Sequence, residues 1–146
     1  MGYAMTRGEC ETFLAGVHVG VLAVAEPDRG PLAVPVWYAY KPGGVVRIVT
    51  GDASLKARLL RAAGRMSLCV QTETAPYQYV SVEGPISFTT PDYERDVRGI
   101  AVRYLGPEMA EAYLAMTADE RSRMVEVLLE MRPARWRSVD YGKMTG

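Results

Sequence analysis

Side-chain types and spacing could do chemistry at Ser54-Leu55-Lys56. An apolar stretch ends at Thr50-Gly51-Asp52, and Asp52 or Ser54 can cap a helix that begins there. The first turn of a helix carries N–H groups with no intrahelical partner, together with the positive end of the dipole. Lys56 adds an ammonium to that spot, which makes it a candidate anion site, above all for a phosphate. Arg58 and Arg61 follow on the same helix and read first as a solvated face. The remaining titratable residues assemble into no other machinery. His18 is the sole histidine, stands between two valines and reads as structural rather than as an acid–base group. Cys10 and Cys69 lie in apolar contexts without C-x-x-C spacing, as buried thiols of a reducing compartment do. No His, Cys or carboxylate cluster has ligand spacing, so no metal site is expected. No Ser-His-Asp set, Cys-His set or carboxylate dyad is evident, which argues against a hydrolase and leaves catalytic residues unassigned.

The elements that must position Lys56 form a strand–turn–strand–helix unit from Pro31 to Gly64. In the first strand Val34, Val36, Tyr38 and Tyr40 alternate with Ala33, Pro35, Trp37 and Ala39, so both faces are apolar, as in a barrel or sandwich. Lys41-Pro42-Gly43-Gly44 suits a type II turn, with proline presetting φ and Gly43 taking φ > 0. The second strand runs from Val45 to Thr50. In the helix from Ser54 to Ala63, Leu55, Leu59, Ala62 and Ala63 mark the apolar stripe, with Lys56 at its border and Gly64 as the stop.

The flanking chain reads as further strands and helices. Thr6 and Glu9 make a capping box for a short helix, and Val17 to Ala25 is a strand. Met66 to Thr72 and Tyr77 to Thr89 are two more, the second interrupted at Gly84-Pro85 as a bulge or barrel corner would interrupt it. Thr90 caps a helix with Pro91 in its first position. Gly106-Pro107 ends that helix, and a second short one runs through Met116. The alternation from Met124 to Met131 predicts the last of six strands.

Pro35-Val36-Trp37-Tyr38, then Ile48-Val49-Thr50, then Ser54-Leu55-Lys56 with Leu59 resembles the pyridoxamine 5'-phosphate oxidase-like superfamily of FMN- and F420-binding proteins. The likeness extends to Tyr79-Val80-Ser81-Val82-Glu83-Gly84 and to a C-terminal P-x-x-W segment, Pro133 to Trp136, so it covers nearly the whole chain. It implies a mainly β protein with helices, a split antiparallel six-stranded barrel that dimerises with the cofactor at the subunit interface. It implies an oxidoreductase that moves a hydride between F420, or alternatively FMN, and a small planar organic substrate. In that reading Ser54, Leu55, Lys56 and the helix start anchor the phosphate, with Arg58 or Arg61 added for the longer tail of F420. Pro35, Val36, Trp37 and Thr50 line the ring edge, while Tyr79 and Trp136 pack over the ring from the partner subunit. Tyr77 and Tyr79 serve equally well as barrel-facing packing. The basic residues that true pyridoxamine-phosphate oxidases carry on the strand reading VPVWYAY are missing between Val34 and Tyr40, which argues against pyridoxamine phosphate as substrate. Arg103-Tyr104-Leu105-Gly106 resembles a stretch common in the F420-type branch and tilts the cofactor toward F420. The same pocket would serve a non-catalytic protein that holds flavin, haem or another planar ligand. An oligomeric barrel without cofactor would use the aromatics as core.

Composition sets the bounds. With 146 residues, 49% of them hydrophobic, the expectation is one domain over 1–146 with a real core. Basic and acidic residues both number 17, so no global charge argues for nucleic acid. No apolar run approaches the roughly 18 residues of a membrane span, and no leader-like segment opens the chain, so a cytoplasmic location is expected.

Overall fold

The computed structural model describes residues 2–145. The chain opens with α1 (Arg7–Ala15), whose capping box closes as expected: the Glu9 N–H donates to Thr6 Oγ1 and the Thr6 N–H to Glu9 Oε1. Strands β1 (Gly20–Val24) and β2 (Leu32–Val36) pair antiparallel, and β1 pairs on its other side with β4 (Arg65–Gln71). Between β2 and β4 come β3 (Val46–Gly51) and α2 (Leu55–Ala63). The long strand β5 (Gln78–Thr89) follows, and then a helical cap made of a π-helical turn (Tyr93–Arg98), α3 (Gly99–Leu105) and α4 (Pro107–Ser122). Strands β6 (Glu126–Met131) and β7 (Arg135–Asp140) complete the sheet, with a short 3-10 turn over Tyr141–Thr145.

The sheet runs β2-β1-β4-β5-β6-β3, and β7 also pairs with β5. One further bridge, Ala39 to Arg47, joins the chain after β2 back to β3 and curls the path toward closure. The bridge is made by two backbone bonds of 2.9 Å each, and among the described residues no strand ladder extends it. The antiparallel sheet thus curls into a half-barrel flanked by helices, the architecture of a split barrel. Leu22, Val36, Tyr38, Ile48, Leu68, Val80, Val82 and Leu129 fill its interior. Each buried side chain of this size contributes about 1.5–3 kcal/mol relative to exposure, so the interior is the main source of stability. The turn after Tyr40 forms as expected, with Gly43 at φ 84° and the Gly44 N–H on the Lys41 carbonyl.

Strand β5 is the hinge of the sheet. Its first half pairs with β7 and its second half with β6, on one edge. Met131 faces Ile86 and Arg135 faces Glu83, so Arg132, Pro133 and Ala134 stand opposite Gly84 and Pro85. Three residues against two is a bulge, and it bends the strand there. A Cβ at residue 84 would lie 1.8 Å from the Arg132 carbonyl oxygen, which explains the glycine.

Several expectations need correction. Six strands become seven, because β6 resumes as β7 beyond that bulge. The stretch expected to be strand from Met124 begins only at Glu126. The helix expected to start on Thr90 is capped instead by Asp92, which accepts from the Arg95 N–H, and its first turns are π-helical. The short helix expected to stop at Met116 runs on to Ser122. On α2 the buried face carries Ala57 and Leu60, whereas Leu55 is 45% exposed, so Lys56 lies nearer the inward face than the Leu55-based stripe suggested. Among the described residues no helix is long and apolar enough to cross a membrane.

Candidate functional site

Outward-facing residues of β2 and β3 build one wall of a cleft of about 410 Å³, and the helical cap builds the other. Pro35, Trp37 and Val49 alternate with buried Val36, Ile48 and Thr50, which places the first three on the outer surface of the barrel. From the cap come Val97, Ile100, Ala101, Tyr113 and Leu114, an apolar wall. Trp37 stacks on Tyr104 at 5.1 Å and 6° and meets Tyr113 at 5.5 Å and 52°, so the cap is docked through aromatic faces.

The charged groups of the cleft differ in their freedom. Asp96 has no solvent exposure, yet Arg95 grips both its oxygens (2.8 and 2.9 Å), the Asp92 N–H donates to it at 2.8 Å, and Arg47 Nε lies 3.3 Å away. Burial pushes its pKa up, but the Arg95 and Asp92 hydrogen bonds and the two guanidinium charges outweigh it, so the carboxyl sits below the usual range. Asp96 thus ties the π-helical turn to β3 as an anion already matched. Lys56 is the opposite case. It is partly buried, burial pulls its pKa down, and no carboxylate among the described residues pairs with it. A desolvated cation without a counter-ion, aimed at a cleft, fits an anionic ligand group.

The start of α2 supports that fit. Ser54 Oγ donates to the Gly51 carbonyl at 2.8 Å and accepts from the Ala57 N–H at 3.1 Å, so the hydroxyl fixes the helix start. The Leu55 and Lys56 amides remain as first-turn donors without intrahelical partners. The chain from α4 into β6 runs alongside, since the Asp52 N–H donates to the Val125 carbonyl at 2.8 Å and Gly51 pairs with Glu126.

Pro35, Val36, Trp37 and Lys56 therefore meet in one cleft, with Ser54 holding the helix start beside it. Thr50 is 7% exposed and follows the inward alternation of β3. Leu55 and Arg58 are exposed on α2. Arg61 is engaged, paired with Asp52 and lying 4.4 Å over the Phe88 ring. Tyr79 lies on β5 opposite Gln71 and Val139, away from this chain's cleft. Trp136 packs against the barrel core, edge-on to Tyr40 at 6.3 Å and under Arg7 at 5.1 Å, with its Nε1 buried and unpartnered.

The R-Y-L-G stretch has a structural role here. Arg103 Nη2 donates to the carbonyls of Ala15 (3.0 Å) and Gly16 (2.7 Å) at the end of α1. Tyr104 donates to the His18 carbonyl at 2.6 Å and accepts from the Tyr38 N–H at 3.1 Å. Sequence reasoning missed Asp96, Tyr113, Leu114, Arg121 and Glu126, which all line the cleft. The apolar stripe of α3 was visible, but nothing local told what it would face.

The fold has close counterparts. A conserved hypothetical protein from Mycobacterium tuberculosis superposes with a TM-score of 0.77 at 26% identity, covering 99% of this chain and 91% of that one. An F420 reductase gives 0.65 at 24%, covering 86% and 94%. An FAD-binding protein from Mesorhizobium loti gives 0.64 at 20%, covering 92% and 93%. No curated protein matches the chain. The pyridoxamine 5'-phosphate oxidase family model, by contrast, matches residues 6–140, nearly the whole chain from the α1 cap to the end of β7. With its split barrel and that match, the chain belongs to the pyridoxamine 5'-phosphate oxidase family.

Proposed function

We propose that the protein is an oxidoreductase that binds a flavin-type cofactor, F420 ahead of FMN, and exchanges a hydride with a small planar organic substrate. One observation carries this reading: the unpaired, partly desolvated Lys56 shares a cleft with Pro35, Val36 and Trp37, beside the start of α2. When bound, the cofactor supplies the hydride chemistry itself. The chain's part is to bind and to exclude water. Lys56 and the first amides of α2 receive the phosphate, and Ser54 holds that helix start in place. The outer surface at Pro35 and Trp37, with the backbone of Val36 between them, offers the edge of the ring a backbone and an apolar floor. The cap residues Val97, Ile100 and Leu114 keep the opposite wall dry.

The similarity to an F420 reductase and to an FAD-binding protein supports a cofactor of flavin type. Preference for F420 rests on the C-terminal sequence resemblance and on Arg58, an exposed cation two residues beyond Lys56 that a longer anionic tail could use. A second subunit, carrying its own Tyr79 and Trp136, completes the site in this proposal.

Fluorescence titration with FMN and with F420 tests the site. A charge-assisted contact contributes about 1.5–3 kcal/mol, so Lys56→Ala should bind roughly tenfold to a hundredfold more weakly. Ligand-free melting should hold, because among the described residues no group pairs with Lys56. Unchanged binding of both cofactors by the variant would move the phosphate elsewhere. A wild-type protein that binds neither cofactor, or that never oxidises reduced F420 with any acceptor, would end the redox reading.

A further inference from the structure

Arg121 also lines the cleft, and it does so already held in place. It lies in the last turns of α4 and reaches back along that helix. Its Nε donates to Thr117 Oγ1 at 3.0 Å and its Nη2 to the Leu114 carbonyl at 2.6 Å. The Thr117 hydroxyl in turn donates to the Tyr113 carbonyl at 2.9 Å, so a chain of bonds along α4 fixes the guanidinium. No carboxylate among the described residues lies within ion-pair distance of it, and its Nη1 makes no hydrogen bond there. Asp96, on the same wall, is occupied by Arg95 and Arg47, which leaves Glu126 as the one unmatched carboxylate of the lining.

A guanidinium costs rotamer entropy to immobilise, and here folding has already met that cost through neutral acceptors that leave the charge unspent. The fork it still presents suits a carboxylate or phosphate oxygen. The adjoining surface, Trp37 with Tyr113 and Leu114, suits a flat apolar body.

We propose that Arg121 is a second anion-binding residue of the cleft, receiving a carboxylate or phosphate of a planar ligand whose body lies against Trp37 and Tyr113, where the two walls meet. This rests on the redox reading only for the name of the ligand. The anion has two possible sources, the cofactor's phosphate or an acidic group on the hydride acceptor.

Two ligand pairs that differ in one anionic group separate them: FMN against riboflavin, and 4-nitrobenzoate against 4-nitrobenzamide. Each is titrated against wild type, Arg121→Gln and Arg121→Lys, with Lys56→Ala alongside. Arg121→Gln should weaken the charged member of one pair by about tenfold, leave its neutral partner unchanged, and recover in part in Arg121→Lys. Loss in the flavin pair assigns the anion to the cofactor, and loss in the nitrobenzoate pair assigns it to the acceptor. Equal binding of the charged members by Arg121→Gln and wild type overturns the proposal, as does parallel loss for charged and neutral ligands. If wild type binds no flavin or F420 but the nitrobenzoate pair responds, Arg121 stands and the redox reading falls. If wild type binds none of these ligands, both fall.

Discussion

Burial around His18 disfavours its charged form, and Arg103 nearby adds to the effect, while the hydrogen bond to the Phe13 carbonyl opposes it. The net shift is downward from the ordinary value of 6.5. Nε2 lies 3.0 Å from the Phe13 carbonyl oxygen and must donate to it, and the ring stacks on Phe13 at 4.6 Å. The sign follows from linkage. The unfolded chain takes up a proton at higher pH than the folded one, so this contribution is fully present above the unfolded value and is lost as pH falls through the folded value. Melting temperatures measured from about pH 7.5 down to about 5.5 should fall more steeply for wild type than for His18→Gln, whose amide can still donate. Glu9, Glu11 and Asp96 have depressed values and act in a lower range, so they do not blur this window. Parallel curves would remove His18 from the pH response. At this scale the position of Lys56 at a helix start beside the cleft was legible, because a helix start and a cation coincide within three residues. Asp96 and Arg121 were not. Their roles are set by Arg47 on a distant strand and by which wall α4 faces, and neither leaves a local mark.

The elements show where local pattern ends and pairing takes over. Strand β5 was read with its break at Gly84-Pro85, and the break is the bulge that turns it from β7 to β6. Strand β7 escaped notice because Pro133 and Ala134 separate it from β6 and its outward residues, Arg135 and Arg137, are charged. It forms because the first half of β5 otherwise has an open edge. Helix α4 runs on past Met116 through Thr117, a weak helix former whose hydroxyl bonds back to the Tyr113 carbonyl and accepts from Arg121 Nε. These accounts make Gly84 the residue most sensitive to a single methyl. Gly84→Ala must push the Arg132 carbonyl aside and open the bulge, at a cost of about 3 kcal/mol. Gly8→Ala in α1, where an added Cβ meets nothing within 4 Å, should instead gain about 0.5 kcal/mol from helix propensity. Chemical denaturation of the two variants measures both. A neutral Gly84→Ala would mean that the Arg132 loop yields freely and the bulge is not held by close contact.

At the scale of the whole molecule, the surface beside the cleft is apolar in a way a lone barrel does not explain. Val21 pairs with Pro35 on one side and Cys69 on the other, and Ala23 pairs with Ala33, so a continuous apolar strip crosses β2, β1 and β4. Val17, Val19 and Val21 are 58%, 55% and 43% exposed, and Leu55 at the start of α2 is 45% exposed. Val19 and Pro35 also line the cleft, so whatever covers the strip borders the cleft. A second copy of the chain is the proposed cover. A stable dimer needs about 800 Å² per partner with an apolar centre, and this strip supplies such a centre. It also accounts for the separation of Tyr79 and Trp136 from the cleft of their own chain, since the proposed contribution of these residues is to the partner's site. Sedimentation at micromolar concentration should show one species near twice the chain mass. Val21→Glu with Ala33→Glu places charges in the centre of the strip without touching the barrel interior, and it should yield monomers that keep their fold by circular dichroism. The same variant should lose cofactor affinity along with its partner. A wild-type monomer with full affinity, or a Glu-substituted monomer that binds as tightly as the dimer, would show that each chain carries a whole site and that the strip serves something else.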